Sequence, residues 1–273
     1  MNRFLFITTT SPKSCKIDSL RNQLYNRLFF KRIAEITYPN VEFWIIGEVP
    51  ENQSKVKNLN IRFFDTDKKT KGDRLREVYE RLKQTSKQFD YISRLDDDDI
   101  LSISVLEKYA HSAADLIMDR YHTFLDITSG RYGQQRREWV ANTAFHKYEH
   151  AMQIIDPENG TGLLFDYDHA KSWINYYQEK QIEYTSKEGP IYMRVLNPHS
   201  ITALGGEGVY SQQDFEAFFK YLRAFGYFQA ATYPKGFEHI YPDVMEIVKS
   251  LDFPENTLNT RPSVFNKIIS RLR

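Results

Sequence analysis

The sequence predicts an α/β fold in which helices flank a mostly parallel central sheet. Short apolar, strand-like runs alternate with amphipathic helical patterns over the first 120 residues, and the second half of the chain is less regular. A chain of 273 residues is long enough for one large α/β domain with appended elements. We therefore expect a single domain as the frame for any functional site.

Four strand-like runs precede residue 100. Each is short, rich in β-branched or aromatic residues, and bounded by a turn or a polar loop. The four runs are residues 3–10, 41–49, 59–66 and 89–95. We expect them to be neighbouring strands of one sheet, because short strand runs separated by helical stretches are typical of parallel sheets.

Three amphipathic helical patterns accompany these strands. Apolar residues recur every three or four positions in residues 20–33, 73–87 and 105–117. Ser102 or Ser104 is a candidate N-cap for the third helix, since a serine hydroxyl can accept a bond from the first free backbone N–H groups. The alternation of strands and helices therefore continues to about residue 120.

The pattern divides the chain into three parts, namely residues 1–120, 121–230 and 231–273. In the second part, strand-like runs at 122–133, 138–145 and 190–197 surround a helical pattern at 168–180. The loop at 197–213 carries Gly205, Gly206 and Gly208, so it could be a mobile lid or a plain connection. The third part ends in a basic amphipathic helix over 261–273.

Charge and cysteine content exclude several classes of protein. The formal net charge is only +1, so no overall field attracts nucleic acid, and we expect no nucleic-acid partner. A single cysteine, Cys15, cannot form an internal disulfide, and the N-terminal apolar run is too short for a signal peptide. We expect a cytoplasmic protein. The basic helix at 261–273 could rest on the inner face of the cell membrane, although a packed terminal helix is the simpler reading.

Four consecutive aspartates, Asp96 to Asp99, follow the fourth strand-like run. Like charges this close oppose one another's ionisation, so the run needs a compensating cation or a solvated surface. The carboxyl ends of parallel strands are where open α/β sheets bind ligands, and Mg²⁺ and Mn²⁺ prefer carboxylate and phosphate oxygens. In an extended strand Asp96 and Asp98 would point the same way. A capped, solvated helix entry is the alternative, but it does not need four acids.

The order of these elements resembles the nucleotide-sugar-binding half of GT-A glycosyltransferases. The matching segments are YPNVEFWIIGE and DYISRLDDDDI, in which Asp96, Asp97 and Asp98 form the Asp-x-Asp signature and Asp99 an additional acid. More narrowly, SRLDDDDILS and YMRVLNPHSIT resemble a bacterial rhamnosyltransferase group. The resemblance covers residues 3–120, and beyond them it rests mainly on one histidine. It implies a GT-A (Rossmann-like) fold whose second half, 121–230, faces the acceptor.

The resemblance also implies roles for individual residues at the metal. Asp96 would contact the ribose of the donor or a water on the metal, and Asp98 would coordinate a Mn²⁺ or Mg²⁺ ion that bridges the diphosphate. His199, which follows the strand-like run IYMRVLN, would complete the metal shell. A hydrogen-bonded loop histidine is the alternative reading of His199, since imidazole has many uses.

Donor-binding residues are implied at the ends of the first two strands and in the next helix. Thr8 to Thr10 end the first strand, where the nucleotide lies in the family, and Glu48 ends the second, near the base. Arg76, in KGDRLRE, approximates a basic residue of the family, although it could equally lie on a solvated helix face. IIGE departs from the family's common VDD, which leaves the nucleotide base undetermined.

The expected catalytic base, Asp168, lies in FDYDHAKSW. An inverting enzyme needs a carboxylate to deprotonate the acceptor hydroxyl, whereas a retaining one does not. Asp166 and Glu149 are rivals for this role, and Asp168 could instead be an ordinary N-cap. Trp139 and Trp173 also lie in the second half and could stack on a sugar, although burial is the commoner use of tryptophan.

The resemblance, together with these observations, implies a metal-dependent glycosyltransferase. It would move a sugar from a nucleotide-diphospho-sugar donor to a saccharide or glycan acceptor, in the assembly of bacterial surface polysaccharide. Alternatives from other classes are an Asp-x-Asp phosphatase, a nucleotidyltransferase and an inactive carbohydrate-binding protein. A phosphatase nucleophile usually follows the first strand, whereas three strands precede Asp96, and TTTSPKSCKIDS lacks the glycine-rich basic loop of a nucleotidyltransferase.

Overall fold

The computed structural model describes residues 1–10, 18–47, 60–155, 160–165, 170–198, 215–223, 225, 228 and 232–251. Eleven strands occur in this part of the chain. They are β1 (Phe4–Thr9), β2 (Val41–Ile46), β3 (Ile61–Phe64), β4 (Tyr91–Arg94), β5 (Ile100–Leu101), β6 (Leu116–Met118), β7 (Tyr121–Asp126), β8 (Arg131–Arg136), β9 (Phe145–Lys147), β10 (Ile182–Tyr184) and β11 (Tyr192–Leu196). The four runs predicted before residue 100 are confirmed as β1 to β4.

Eight α-helices occur in the described residues. They are α1 (Asp18–Gln23), α2 (Lys31–Glu35), α3 (Lys71–Gln84), α4 (Val105–Lys108), α5 (Tyr148–Ala151), α6 (Ala170–Tyr177), α7 (Phe215–Arg223) and α8 (Tyr241–Leu251). A π-helical segment, Leu24–Phe30, joins α1 to α2 without a break. None of the helices in this part of the chain is long and apolar enough to cross a membrane.

A seven-stranded sheet in the order β10-β6-β9-β4-β1-β2-β3 forms the centre of the fold. Strands β1 to β4 are parallel to one another, and β9 runs antiparallel between β4 and β6. The predicted fold class, a mostly parallel sheet flanked by helices, is confirmed. Four strands in the order β5-β11-β7-β8 form a second sheet.

Both faces of the central sheet are buried, which explains why its strands read as continuous apolar runs. Along β1, Phe4 and Phe6 belong to one core cluster, and Leu5 and Ile7 belong to another. The π-helical segment and α2 cover the first face, whereas α3 and α6 cover the second. The side-chain period of two in a strand therefore sends alternate residues into two different cores.

Helix α3 begins at a capping threonine and packs one apolar side against the sheet. The Thr70 hydroxyl accepts a bond from the Asp73 backbone N–H, 3.1 Å away, which satisfies one of the free donors of the first turn. Leu75, Val78 and Leu82 lie on one side of the helix and are buried against the sheet. The helix predicted over 73–87 is confirmed as far as Gln84, and the cap sets its start beside the ends of the strands.

The third predicted helix, residues 105–117, is wrong over most of its length. Helix α4 ends at Lys108, and residues 116–118 form β6, which pairs with β9 and β10. Leu116 and Ile117 recur at helical spacing with Val105 and Leu106, but the sheet hydrogen bonds override that spacing. The Asn2 side chain donates to the carbonyl oxygens of Tyr109 and Ser112, which satisfies the backbone where the helix stops.

The second half differs in detail from the predicted pattern. Residues 122–133 form most of a hairpin, β7 and β8, because Gly130 adopts a φ of 66° in its turn. The run predicted over 138–145 is a loop apart from its last residue, which opens β9. The helix within 168–180 and the strand within 190–197 are confirmed as α6 and β11, whereas residues 199–213 and 261–273 lie outside the described residues.

A buried carboxylate, that of Asp119, holds the segment before β11 to the loop between β6 and β7. Asp119, between β6 and β7, is fully buried and accepts hydrogen bonds from the Thr185 hydroxyl and from the Ile191 backbone N–H at 2.5 and 2.8 Å. Burial raises the pKa of Asp119 to about 7. These bonds fix the chain where it enters β11, whose far end approaches the four aspartates.

Replacement of Trp173 by alanine should destabilise the protein far more than the same change at Trp139. Trp173 is fully buried, and its indole N–H donates to the Leu163 carbonyl at 2.9 Å, whereas Trp139 is 39% exposed. We expect a loss of about 3–5 kcal/mol in the free energy of unfolding for Trp173→Ala and under about 1 kcal/mol for Trp139→Ala. Urea denaturation of both variants measures this, and equal losses would contradict the placement of the two side chains.

Candidate functional site at the carboxyl edge of the sheet

The four aspartates form a tight turn that joins the two sheets. Leu95 extends the ladder of β4 by donating its N–H to the Ile7 carbonyl at 3.0 Å, and Asp99 donates its N–H back to the Asp96 carbonyl at 3.1 Å. Strand β5 of the second sheet starts at the next residue. We call residues 96–99 the aspartate turn. Because the backbone turns here, the alternation expected of an extended strand does not apply.

Two of the four carboxylates have cationic partners. The Lys71 ammonium lies 2.6 Å from Asp96, which also accepts a bond from the Asn142 side-chain amide at 3.2 Å. The Arg21 guanidinium donates to both oxygens of Asp97 at 2.8 and 3.0 Å. Burial opposes ionisation of Asp96, but the nearby positive charges, Lys71 foremost, outweigh it and lower its pKa.

The other two carboxylates have only neutral hydrogen-bond donors among the described residues. Asp98 accepts from the Asn197 side-chain amide at 3.1 Å, and Asp99 accepts from the Val195 backbone N–H at 3.0 Å. Burial and the neighbouring Asp97 charge raise the pKa of Asp98 to about 6, and burial together with the Asp98 charge raises that of Asp99. Arg21 offsets part of this effect at Asp98, and Arg194 does so at Asp99, but neither restores the ordinary pKa. Ionisation is therefore opposed at Asp98 and Asp99 and favoured at Asp96.

The end of β1 lies next to the aspartate turn, since the register of the parallel pair sets Ile7 opposite Arg94. Thr8 is buried, and its hydroxyl has no hydrogen-bond partner among the described residues. The Arg74 guanidinium donates to the Thr10 carbonyl and to the Lys68 carbonyl. Gly47 follows β2 at a φ of 137°, and a Cβ there would lie 2.2 Å from the Thr10 hydroxyl oxygen.

The structure places Arg76 away from this edge. Its side chain is 58% exposed, and its guanidinium lies 3.5 Å from Asp73 in the first turn of α3. The basic side chains that α3 brings to the strand ends are Lys71 and Arg74. The sequence reading missed both, although their position in the first turn of a helix that starts at the carboxyl edge could have indicated them. The donor-binding role of Arg76 stays a prediction.

Several predicted site residues lie outside the described residues, namely Glu48, Asp166, Asp168 and His199. Their roles stay predictions. His199 is two residues beyond Asn197, whose amide contacts Asp98. The sequence reading also missed Arg21, Asn142 and Asn197, which lie 46 or more positions in sequence from the aspartates that they contact and reach them only through the fold.

Glu149, the rival catalytic base, lies at the opposite edge of the sheet. It is in α5, which directly follows β9, and the Tyr148 N–H donates to the carbonyl of Asp90 at the start of β4. Six residues of extended chain separate Asp90 from Asp96, a length of about 20 Å. Glu149 therefore does not face the aspartate turn.

Glu149 belongs instead to the one group of three side chains in the described residues whose metal-ligand atoms lie within 4.8 Å of one another, with Asp115 and His150. This group could hold a metal ion. However, the Lys147 ammonium already lies 3.7 Å from Asp115 and 3.3 Å from Glu149, and the His150 Nε2 atom lies 3.1 Å from Asp115. These ion pairs give the group a structural role without a metal.

Within the part of the chain that the structure describes, the aspartate turn does not form such a converging group. A cation bound there would have one or two carboxylate ligands and would need further oxygen or nitrogen ligands from elsewhere. Mg²⁺ and similar ions are usually bound in this way, by one or two carboxylates together with substrate phosphates. The geometry therefore suits a metal that is completed by a phosphate-containing ligand better than a permanent all-protein site.

Comparison with known proteins gives a likeness in fold. No family model matches the chain, and no curated protein matches it. Among solved structures, S. aureus TarS 1–349 in complex with UDP-GlcNAc matches with a TM-score of 0.52 and 13% identity, over 91% of this chain and 73% of that one. A second structure of TarS 1–349 matches with a TM-score of 0.46 and 11% identity, over 91% and 72%.

A cytidylyltransferase of Francisella tularensis, which acts on 2-C-methyl-D-erythritol 4-phosphate, matches with a TM-score of 0.40 and 15% identity, over 68% of this chain and 91% of that one. Of these three matches, TarS in complex with UDP-GlcNAc has a TM-score above 0.5. At 13% identity this score shows a shared fold. The chain therefore has a fold like that of the GT-A glycosyltransferases. Membership of the bacterial rhamnosyltransferase group stays a prediction.

Replacement of Asp98 by asparagine should stabilise the protein in the absence of divalent cations. The pKa of Asp98 is raised to about 6 in the folded protein, so ionisation of this carboxyl opposes folding. The unfolded-state pKa is near 4, so the stabilisation should be absent below about pH 4, grow as the pH rises to about 6, and stay constant above that. We expect a gain of about 1–3 kcal/mol near neutral pH, measured by urea denaturation.

Asp97→Asn is the matched control for this measurement. Asp97 accepts two bonds from Arg21, so its replacement should lower the free energy of unfolding by about 1–3 kcal/mol. A destabilised Asp98→Asn variant near neutral pH would contradict the raised pKa of Asp98.

Proposed function

We propose that this protein is a metal-dependent glycosyltransferase that moves a sugar from a nucleotide-diphospho-sugar donor to a saccharide or glycan acceptor. The observation that carries the proposal is the position of Asp98 at the carboxyl edge of a GT-A-like sheet, where its hydrogen-bond donor among the described residues is the neutral amide of Asn197. Open α/β sheets bind ligands at this edge. Groups that cost stability are often found where activity needs them.

The residues of the aspartate turn fit a divalent cation. Asp98 pairs with no lysine or arginine within the described part of the chain, and its hydrogen bond from Asn197 orients the carboxylate without neutralising it. When bound, Mn²⁺ or Mg²⁺ would stabilise the negative charge that develops on the departing nucleoside diphosphate. Asp98 would hold the ion, and His199 is the proposed further ligand.

The described side chains on the β1 side of the turn suit the nucleotide and its phosphates. The Lys71 ammonium contacts Asp96, and the Lys71 side chain is 32% exposed. A phosphate at the edge of the sheet could therefore contact this ammonium. Thr8 is the proposed donor contact at the end of β1, where its buried hydroxyl lacks a partner among the described residues. Asp96 would position the ribose while it holds Lys71. Glu48 is the proposed contact to the base.

The choice of first donors follows from the fold. TarS, which has a similar fold, was solved in complex with UDP-GlcNAc. We therefore propose a uridine-diphospho-sugar as the first donor class to test and a deoxythymidine-diphospho-rhamnose as the second, because of the sequence resemblance to rhamnosyltransferases. Asp168 is the proposed base that takes the proton from the acceptor hydroxyl, if the enzyme inverts the anomeric centre.

The proposed function also implies a cellular location. Transfer to a growing glycan would place the protein in the cytoplasm during assembly of surface polysaccharide. The basic helix predicted over 261–273 would then bring it to the inner face of the membrane. Division into a donor half at 1–120, an acceptor half at 121–230 and a helical extension at 231–273 completes this proposal.

Thermal denaturation with nucleotide sugars tests the proposal. Wild-type protein is melted with UDP-GlcNAc, UDP-glucose, GDP-mannose or deoxythymidine-diphospho-rhamnose, each with and without Mn²⁺. A donor present at roughly 100 times its Kd should raise the melting temperature by about 5 °C, because it binds only the folded state. The shift should require Mn²⁺.

Asp98→Asn and Asp115→Asn separate the two acidic groups in this test. Asp98→Asn should lose the Mn²⁺-dependent rise in melting temperature. Asp115→Asn, at the opposite edge of the sheet, should retain it. No shift of the wild-type protein with any donor would refute the proposed function. Release of inorganic phosphate or pyrophosphate without sugar transfer would favour the phosphatase or nucleotidyltransferase instead.

A further inference from the structure

Trp139 is the one tryptophan of this chain with a substantially exposed ring. The sequence contains three tryptophans, and all three lie in the described residues. Trp44 and Trp173 are 3% and 0% exposed, whereas Trp139 is 39% exposed. Exposed single aromatic residues are ordinary on protein surfaces, so exposure alone assigns no role. The surroundings of Trp139 decide the question.

The indole ring of Trp139 is held in place by neighbouring groups. The Arg137 guanidinium lies 4.5 Å from the ring centroid, and it also lies 5.3 Å from the ring of Phe225 and 5.9 Å from that of Phe124. The His122 ring meets the indole edge-on at 5.8 Å. One side of the indole therefore rests on a fixed cation, which leaves the exposed part oriented outward on a rigid support.

The loop that carries Trp139 reaches the aspartate turn. Val140 and Ala141 are buried and anchor the loop, and the Asn142 amide donates to Asp96 at 3.2 Å. Three residues of extended chain span at most about 11 Å, so the backbone of Trp139 lies within that distance of Asn142. The backbone of an exposed indole is thus at most about 11 Å, roughly the length of a disaccharide, from a residue that contacts the aspartate turn.

Trp139 lies on the side of the aspartate turn opposite the proposed nucleotide site. The loop leads into β9, which is next to β4 in the sheet, and β1 is on the other side of β4. Thr8, the proposed donor contact, lies in β1. A ligand that crosses the aspartate turn from the nucleotide would extend toward Trp139.

We propose that the exposed face of Trp139 stacks on a pyranose ring of the saccharide acceptor, with Arg137 as the residue that positions the indole. This inference rests on the proposed function. The C–H groups on one face of a pyranose carry partial positive charge, and they complement the negative face of an aromatic ring. Such stacking accepts many sugars and selects those with an uninterrupted C–H face, so Trp139 would favour a ring-shaped acceptor over a linear polyol.

Fluorescence quenching by acrylamide tests the contact directly. In wild-type protein the quenchable emission should come from Trp139, and it should be lost in Trp139→Phe. The probes are the methyl glycosides of glucose, galactose, N-acetylglucosamine and rhamnose, added with UDP and Mn²⁺. At least one of them should protect the emission from acrylamide, whereas sorbitol should not. Lack of protection by all four glycosides would overturn the inference.

Acceptor kinetics with matched variants supply the second test. Tyr184 is the control, because it is 45% exposed with the Arg120 guanidinium 4.9 Å from its ring, on the edge strand β10. With a protecting glycoside as acceptor, Trp139→Ala should raise its KM about tenfold, Trp139→Phe less, and Tyr184→Ala not at all. An equal KM for Trp139→Ala and Tyr184→Ala would overturn the inference.

Failure of the inference is distinguishable from failure of the proposed function. Wild-type protein that shows no donor-induced thermal shift would refute the glycosyltransferase itself. A normal donor-induced shift in Trp139→Ala, together with an unchanged KM for the glycoside, would refute only the role of Trp139.

Discussion

The crowding of negative charge between β4 and β5 is the constraint on which the site depends. Four adjacent carboxylates repel one another, and the fold answers this repulsion unequally. Asp96 and Asp97 receive Lys71 and Arg21, whereas Asp98 receives only the neutral amide of Asn197 among the described residues. The fold thus pairs Asp96 and Asp97 with cationic side chains, whereas Asp98 is left for a cation that binds at the edge of the sheet.

The position of the aspartate turn explains why the site draws on the whole chain. The turn ends a strand of the central sheet and begins a strand of the second sheet, so its side chains face elements of both. Its partners come from α1, from the start of α3, from the loop before β9 and from the end of β11. A change in the relative placement of the two sheets would separate these partners from the aspartates.

The sequence predicted the parts of the fold that local pattern determines. Strands β1 to β4 and helix α3 follow from apolar periodicity and capping, because these signals are contained within each segment. The helix expected over 105–117 failed because sheet pairing of residues 116–118 overrides helical spacing. Local pattern also could not identify the partners of the aspartates, since contacts such as Arg21 to Asp97 depend on the tertiary fold.

The most direct test of the central claim is the position of manganese in crystals grown with UDP and MnCl₂. The anomalous signal of Mn²⁺ locates the ion without reference to any enzymatic activity. We expect a peak within about 2.5 Å of an Asp98 carboxylate oxygen and in contact with the diphosphate. A single peak at Asp115 and His150, with Asp98 turned toward bulk water, would contradict the account.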